Sequence, residues 1–192
     1  MPEQMHPARR GLILLCLAAV PLRAQETNGE EALAVPCREA AEAARPNRAQ
    51  LGRCDRVIRV PGLAPPLRLA MLMNRGIALL RAGKLDKAEA DFDLAIRSAP
   101  GLAEAWINKG VVLARQPGRE AEAVALISHG IEIGPKEPAR AFFARAQALE
   151  VAGRLKEAMD DYAAAARADP SWPAPAEELK RFRVERRKVL RG

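Results

Sequence analysis

Aromatic residues are scarce in this chain: four Phe, two Trp and one Tyr make up 4% of its 192 residues. Since 49% of the sequence is nonetheless hydrophobic, the core has to be built mainly from Ala, Leu, Ile and Val. Histidine is scarcer still. His6 lies near the start and His129 stands alone, so neither belongs to a catalytic or metal-binding constellation, and His129 reads as a surface or edge residue. The three cysteines and two histidines have no metal-ligand spacing, and Gly-rich phosphate loops and serine-nucleophile motifs are absent. The sequence therefore points away from an enzyme and implies no cofactor and no metal. Long apolar runs are also lacking, because the run at residues 11–20 is too short to cross a bilayer. The net charge of +7 is a modest excess and does not by itself indicate nucleic acid.

What the chain does contain is a repeated pattern of small residues among large ones. The stretch at 69–102, LAMLMNRGIALLRAGKLDKAEADFDLAIRSAPGL, sets Leu72, Gly76 and Leu79 on one face at helical spacing. Gly83 then breaks the run, and Ala88, Phe92, Ala95 and Ile96 form the facing stripe of a second helix that Pro100 ends. Residues 103–138 repeat this with Trp106, Gly110, Leu113, Ala123, Ile127, Gly130 and Pro135, with an extra residue in the Gln116-Pro117-Gly118 turn. Residues 139–172 repeat it again with Phe142, Ala146, Leu149, Gly153, Ala158, Tyr162, Ala165 and Pro170. The spacing predicts that Gly76, Gly110 and Ala146 let each first helix approach Ala88, Ala123 and Ala158, while Phe92, Ile127 and Tyr162 fill the space alongside. Crossing angles of about 20° belong to such packing.

These residues resemble the tetratricopeptide repeat, a 34-residue helix-turn-helix unit. The resemblance covers residues 69–172 and rests on three copies with small residues at matching places. It implies an all-α fold: a right-handed superhelix of antiparallel helix hairpins, with three repeats (69–102, 103–138 and 139–172, together within 67–172). It also implies a non-catalytic scaffold that binds a peptide or helix of a partner protein in the concave face lined by the first (A) helix of each hairpin.

The flanks are read from their own residues. Residues 1–24 resemble an export signal, with Arg9 and Arg10 before the apolar run and a cleavage site near Ala24. A periplasmic or secreted protein is expected, the alternative being an uncleaved interfacial anchor. Arg9, Arg10 and Arg23 against Glu3 leave with that segment, so the remainder carries about +5. Cys37 and Cys54 then form an even pair, which in an exported chain favours a disulfide. Residues 25–66 read as a degenerate N-terminal hairpin, with helices at 37–45, opened by Pro36, and 49–60, then a proline-rich link at 61–66. Residues 173–192 read as a basic C-terminal capping helix in which Ala176, Leu179 and Phe182 cover the third repeat. Its Arg186, Arg187 and Lys188 offer an alternative function: an envelope-associated protein binding anionic lipid or polymer through this helix, a possible contact with a membrane surface.

The expected groove comprises Met73, Asn74, Ile77 and Arg81 in the first repeat, Ile107, Asn108, Val111 and Arg115 in the second, and Arg140, Phe143, Gln147 and Val151 in the third. The amides of Asn74 and Asn108 are placed to hydrogen-bond a peptide backbone. The competing assignment is that Met73, Ile107 and Phe143 pack between neighbouring A helices. Of the five basic and amide places of the carboxylate clamp found in cochaperone repeats, only Asn108 and Arg140 match, which argues against a chaperone-tail receptor. Asp86, Glu89, Asp91 and Asp93, balanced by Lys84 and Lys87, read as an exposed helix face.

Overall fold

The computed structural model describes residues 30–189, with side chains from 32 to 182, and contains helices alone among them. They are α1 (Glu30–Glu42), α2 (Arg48–Ile58), α3 (Pro65–Arg81), α4 (Leu85–Ser98), α5 (Ala103–Leu113), α6 (Glu120–Ile133), α7 (Pro138–Val151), α8 (Leu155–Ala168) and α9 (Ala174–Val189). The expected export signal at 1–24 and the side chains of Arg186, Arg187 and Lys188 lie outside the described residues.

Consecutive helices pair as hairpins, α3 with α4, α5 with α6 and α7 with α8. Each second (B) helix packs on the A helix that follows, so the hairpins stack into one all-α repeat array. Gly83 and Gly153 make the turns of the outer two hairpins at φ 72° and 75°. That left-handed geometry lets the next amide reach back to the helix end, Lys84 N–H to the Leu79 carbonyl and Arg154 N–H to that of Leu149, both at 2.8 Å. The longer middle turn has Gly118 at φ 85° and backbone bonds from Gln116 N–H to the Leu113 carbonyl and from Arg119 N–H to that of Gln116, and the Arg119 side chain donates to Gln116 Oε1 and to both carboxylate oxygens of Glu89 on α4.

The close approaches are real but differ in their partners. A Cβ added at Gly110 would lie 2.8 Å from the Ala123 carbonyl oxygen and 2.5 Å from Ile127 Cγ1. Gly130 makes the reciprocal contact with Ala103 and Ile107. Gly76 lies instead against the ring of Phe92, where an added Cβ would come within 2.7 Å of Cζ. Phe92 thus fills the space beside Gly76, as the spacing led one to expect, and is the nearest group to it. Phe92, Phe143 and Tyr162 are fully buried, each contributing on the order of 1.5–3 kcal/mol of apolar burial.

The ends depart from expectation in detail. The helix expected at 37–45 is α1, which begins six residues before Pro36 and holds that proline inside it. Pro36 therefore does not open the helix; it removes one interior hydrogen bond from it. α2 starts at Arg48 because Asn47 and Gln50 form a reciprocal cap, each side chain accepting the other's backbone N–H at 2.9 Å. A disulfide joins Cys37 to Cys54 across the α1–α2 hairpin. Pro65 and Pro66 belong to the first turn of α3, where a missing amide costs nothing. At the C-terminal end Phe182 is buried and Leu179 packs on the core, whereas Ala176 is exposed and Pro175 takes the buried place.

Candidate functional site

On the A helices the expected groove residues fall into rows that run from repeat to repeat. Met73, Ile107 and Phe143 occupy equivalent places and are all buried. Ile107 meets Gly130 of its own partner helix, and Phe143 meets Tyr162 edge-on at 5.1 Å and the tilted ring of Trp172 at 4.9 Å. These two side chains fill the interior of their hairpins. The position before them is the more exposed one: Trp106 lies at the surface edge, its ring 4.6 Å from that of His129 and its Nε1 donating to the Pro100 carbonyl. His129 is half exposed, in keeping with an edge residue.

Asn74 and Asn108 follow in register and are also buried, at 4% and 0% exposure. Asn74 Oδ1 and both amide atoms of Asn108 have no hydrogen-bond partner among the described residues. In the third repeat Ala144 stands in this place. The next row runs Ile77, Val111 and Gln147, the first two buried and Gln147 half-buried. The groove thus closes over the first two repeats and opens at the third.

α1 accounts for the closure at the first repeat. It lies along α3, and Ala40, Ala41 and Leu51 share one core cluster with Met73 and Ile77. Arg81 fastens it there: its Nη1 donates to the Glu42 and Ala43 carbonyls at 3.1 and 3.3 Å, at the end of α1. Arg115, one repeat on, donates to the Leu80 carbonyl of α3 at 3.0 Å. A guanidinium at a helix C-terminus satisfies orphan carbonyls and suits the helix dipole. Both arginines, expected to line a groove, tie each A helix to the one before it. Val151 occupies the equivalent place on α7, cannot donate, and remains 44% exposed. Leu155, across the turn, is exposed as well. Arg140 pairs with Glu137 at 2.9 Å and sits over the Trp172 ring.

Most of the carboxylates expected on an open face are engaged. Asp91 is buried and accepts two bonds from Arg75, at 2.7 Å from Nε and 2.6 Å from Nη2, while Arg75 Nη1 reaches Asp55 at 2.9 Å. Burial pushes the Asp91 carboxyl up, and the hydrogen bonds from Arg75 oppose that push. Arg145 and Asp161 repeat the same two-pronged pair in the third repeat. The second repeat has Lys109 in place of the arginine, and it pairs with Asp93 of the preceding hairpin at 2.7 Å. Glu89 receives Arg119 and Gln116. Of the four, Asp86 keeps the expected exposed character, with no ion pair among the described residues. Periodicity could not separate these carboxylates, since each sits one or two residues from the apolar stripe.

Two shallow concavities at the N-terminal end were not anticipated. One, of about 370 Å³, has Arg45, Arg48, Arg81 and Lys84 around a floor of Pro46, Leu51 and Ala82. The other, of about 570 Å³, lies on α2 between Arg48, Arg53 and Arg56 over Ala49 and Gly52. Neither has a carboxylate in its wall.

An array of antiparallel hairpins with A helices on one side and B helices on the other defines a helical-repeat protein, a class of protein-protein interaction scaffold. The chain belongs to the tetratricopeptide repeat family, whose model matches residues 23–103, 73–138 and 135–173. The first match takes in α1 and α2 together with α3 and α4. Among solved structures, the "MamA RS-1 ArsTM double mutant" is similar in fold, with a TM-score of 0.60 and 18% identity over 84% of this chain and 87% of that one. No curated protein matches the sequence at a significant level.

Proposed function

We propose that this scaffold is non-catalytic and holds an extended segment or helix of a partner protein along its A-helix side, at the third repeat. The observation that carries the reading is the row Arg81, Arg115, Val151. Its first two members lock adjacent helices together, and its third leaves an apolar side chain open beside half-buried Gln147. An apolar anchor flanked by an amide suits recognition of a polypeptide, with Gln147 able to bond its backbone. Arg140, at the other end of α7, supplies a charged rim.

Affinity capture with the full chain tests this. A partner held by the wild type and by Leu94→Asp, an exposed site on α4, but lost with Val151→Asp supports the reading. Retention by Val151→Asp sinks it. We also propose that the protein works after export. The Cys37–Cys54 disulfide supports an oxidising compartment. Thiol labelling of the protein in intact cells checks it: both cysteines should resist alkylation until a reductant is added, and free thiols in the native protein would count against export.

A further inference from the structure

Cations line two adjoining concavities at the N-terminal end of the molecule, with no carboxylate in either wall. In the array, Arg75, Arg119, Arg145, Arg154 and Arg181 are each committed to carboxylates at 2.9 Å or less. Around the two concavities, Arg45, Arg48, Arg56 and Lys84 make no side-chain hydrogen bond or ion pair among the described residues, and Arg53 reaches Glu39 only at 3.8 Å between exposed groups. Arg81 Nε, in the wall of the first concavity, is buried without an acceptor. Like charges gathered without counter-charge repel one another, and an anionic ligand relieves that repulsion.

We propose that this end of the molecule is a second interaction surface, which takes an acidic segment of a partner protein with apolar residues interspersed. The cations fit carboxylates: guanidinium groups form two parallel bonds with them. Arg48 and Arg56 lie two turns apart on α2, about 12 Å along the axis, so an apposed chain meets them with carboxylates several residues apart. The floors of Ala49 and Gly52, and of Pro46, Leu51 and Ala82, give apolar side chains a place between the charges. A sugar-phosphate backbone or a lipid headgroup by itself has no apolar group to set there. The chain's own flanks do not supply the negative charge, because residues 1–29 carry Arg9, Arg10 and Arg23 against Glu3 and Glu26, and the C-terminal helix ends in Arg186, Arg187 and Lys188.

The test is fluorescence anisotropy on the full chain, with a labelled peptide alternating Glu and Leu as probe. The same peptide with Gln for Glu, a single-stranded oligonucleotide and vesicles containing phosphatidylglycerol are compared with it. Binding of the Glu peptide alone, weakened by salt and reduced at least about tenfold by Arg48→Glu with Arg56→Glu, supports the proposal. Arg167→Glu, on an exposed part of α8, should leave it unchanged. Gly52→Leu fills the second concavity without a clash, since a Cβ there meets only the end of Arg56 at 3.9 Å, and should weaken binding too. Circular dichroism melts confirm that each variant is folded; Glu at position 48 suits the start of α2.

Failure of the Glu peptide to bind, equal binding of the Gln peptide, or indifference to the α2 charge reversals overturns the proposal. Tighter binding of the oligonucleotide or the vesicles through the same arginines overturns it in favour of an anionic polymer or membrane. Self-association in sedimentation velocity that the reversals abolish assigns the surface to a second copy instead. Val151→Asp leaves this binding intact, so the two surfaces are judged separately.

Discussion

Single residues in this protein are constrained most where there is least side chain. Gly110 faces a backbone carbonyl that cannot move away, so Gly110→Ala should destabilise the protein by about 1–3 kcal/mol despite the better helix propensity of alanine. Gly76→Ala presses on a ring rather than on backbone, and the third repeat already sets Ala146 in the corresponding place beside Tyr162. It should cost less, and chemical denaturation of the two variants side by side checks the order. Tyr162 makes a second prediction. Burial, together with the neighbouring Glu150 carboxylate that its hydroxyl donates to at 3.1 Å, raises its pKa well above the ordinary 10.0. The folded state thus keeps a proton that the unfolded state releases, so this contribution is complete below pH 10.0 and is lost as pH rises beyond it. Phenolate absorbance from the chain's one tyrosine should therefore appear together with alkaline unfolding and not before it. Asp91 makes a third: Arg75→Met strands its buried carboxylate and should cost about 3–5 kcal/mol, most of it recovered when Asp91→Leu is added, as thermal melts of the single and double variants would measure.

At the scale of elements, α1 is the unusual member. Pro36 interrupts its backbone hydrogen bonding, although the Ala, Glu, Leu and Arg residues around that proline favour a helix. It stays in place through the disulfide to α2, the Ala40–Ala41 contact surface and the two bonds from Arg81. Loss of the disulfide, by Cys37→Ala with Cys54→Ala, should reduce stability by about 3 kcal/mol in the chain-entropy picture. The loss should concentrate in faster amide exchange of α1 and α2, with the third repeat unaffected. Equal loosening throughout the array would mean that this hairpin is integral to the whole fold rather than a cap on it.

Across the whole molecule, each hairpin touches mainly its neighbours, so stability is distributed along a line. The C-terminal end depends on α9, where Phe182 lies 6.1 Å from the Tyr162 ring and Arg181 holds Glu150 with two bonds at 2.8 Å. Phe182→Ala should cost about 3–5 kcal/mol and let α8 and α9 exchange their amides first, while α3 and α4 keep their protection. The same linear build separates the open A-helix surface at Val151 from the arginine-lined N-terminal end, so that one chain presents two faces of different chemistry.

The helices and hairpins, their order and the small residues between them follow from the sequence alone, because helix spacing and the steric demand for glycine or alanine at a close crossing are local properties that recur in each copy. Cys37 and Cys54 could be paired on the same footing, by count and proximity in one hairpin. Which side of an A helix faces its own partner and which faces the next repeat is different. The positions of Trp106 and Ile107 differ by one residue, about 100° of rotation, and both are apolar, so only the stacking of α5 on α6 distinguished edge from interior. The roles of Asp91, Arg81 and Arg115 depend on partners 16, 39 and 35 residues away in the chain. A charged residue reads as solvated until tertiary packing brings its counterpart to it. Closure of the first part of the groove by α1 is likewise a product of how separate helices meet, and no periodicity in the chain encodes it, whereas Arg48, Arg53 and Arg56 already share one side of α2 at helical spacing.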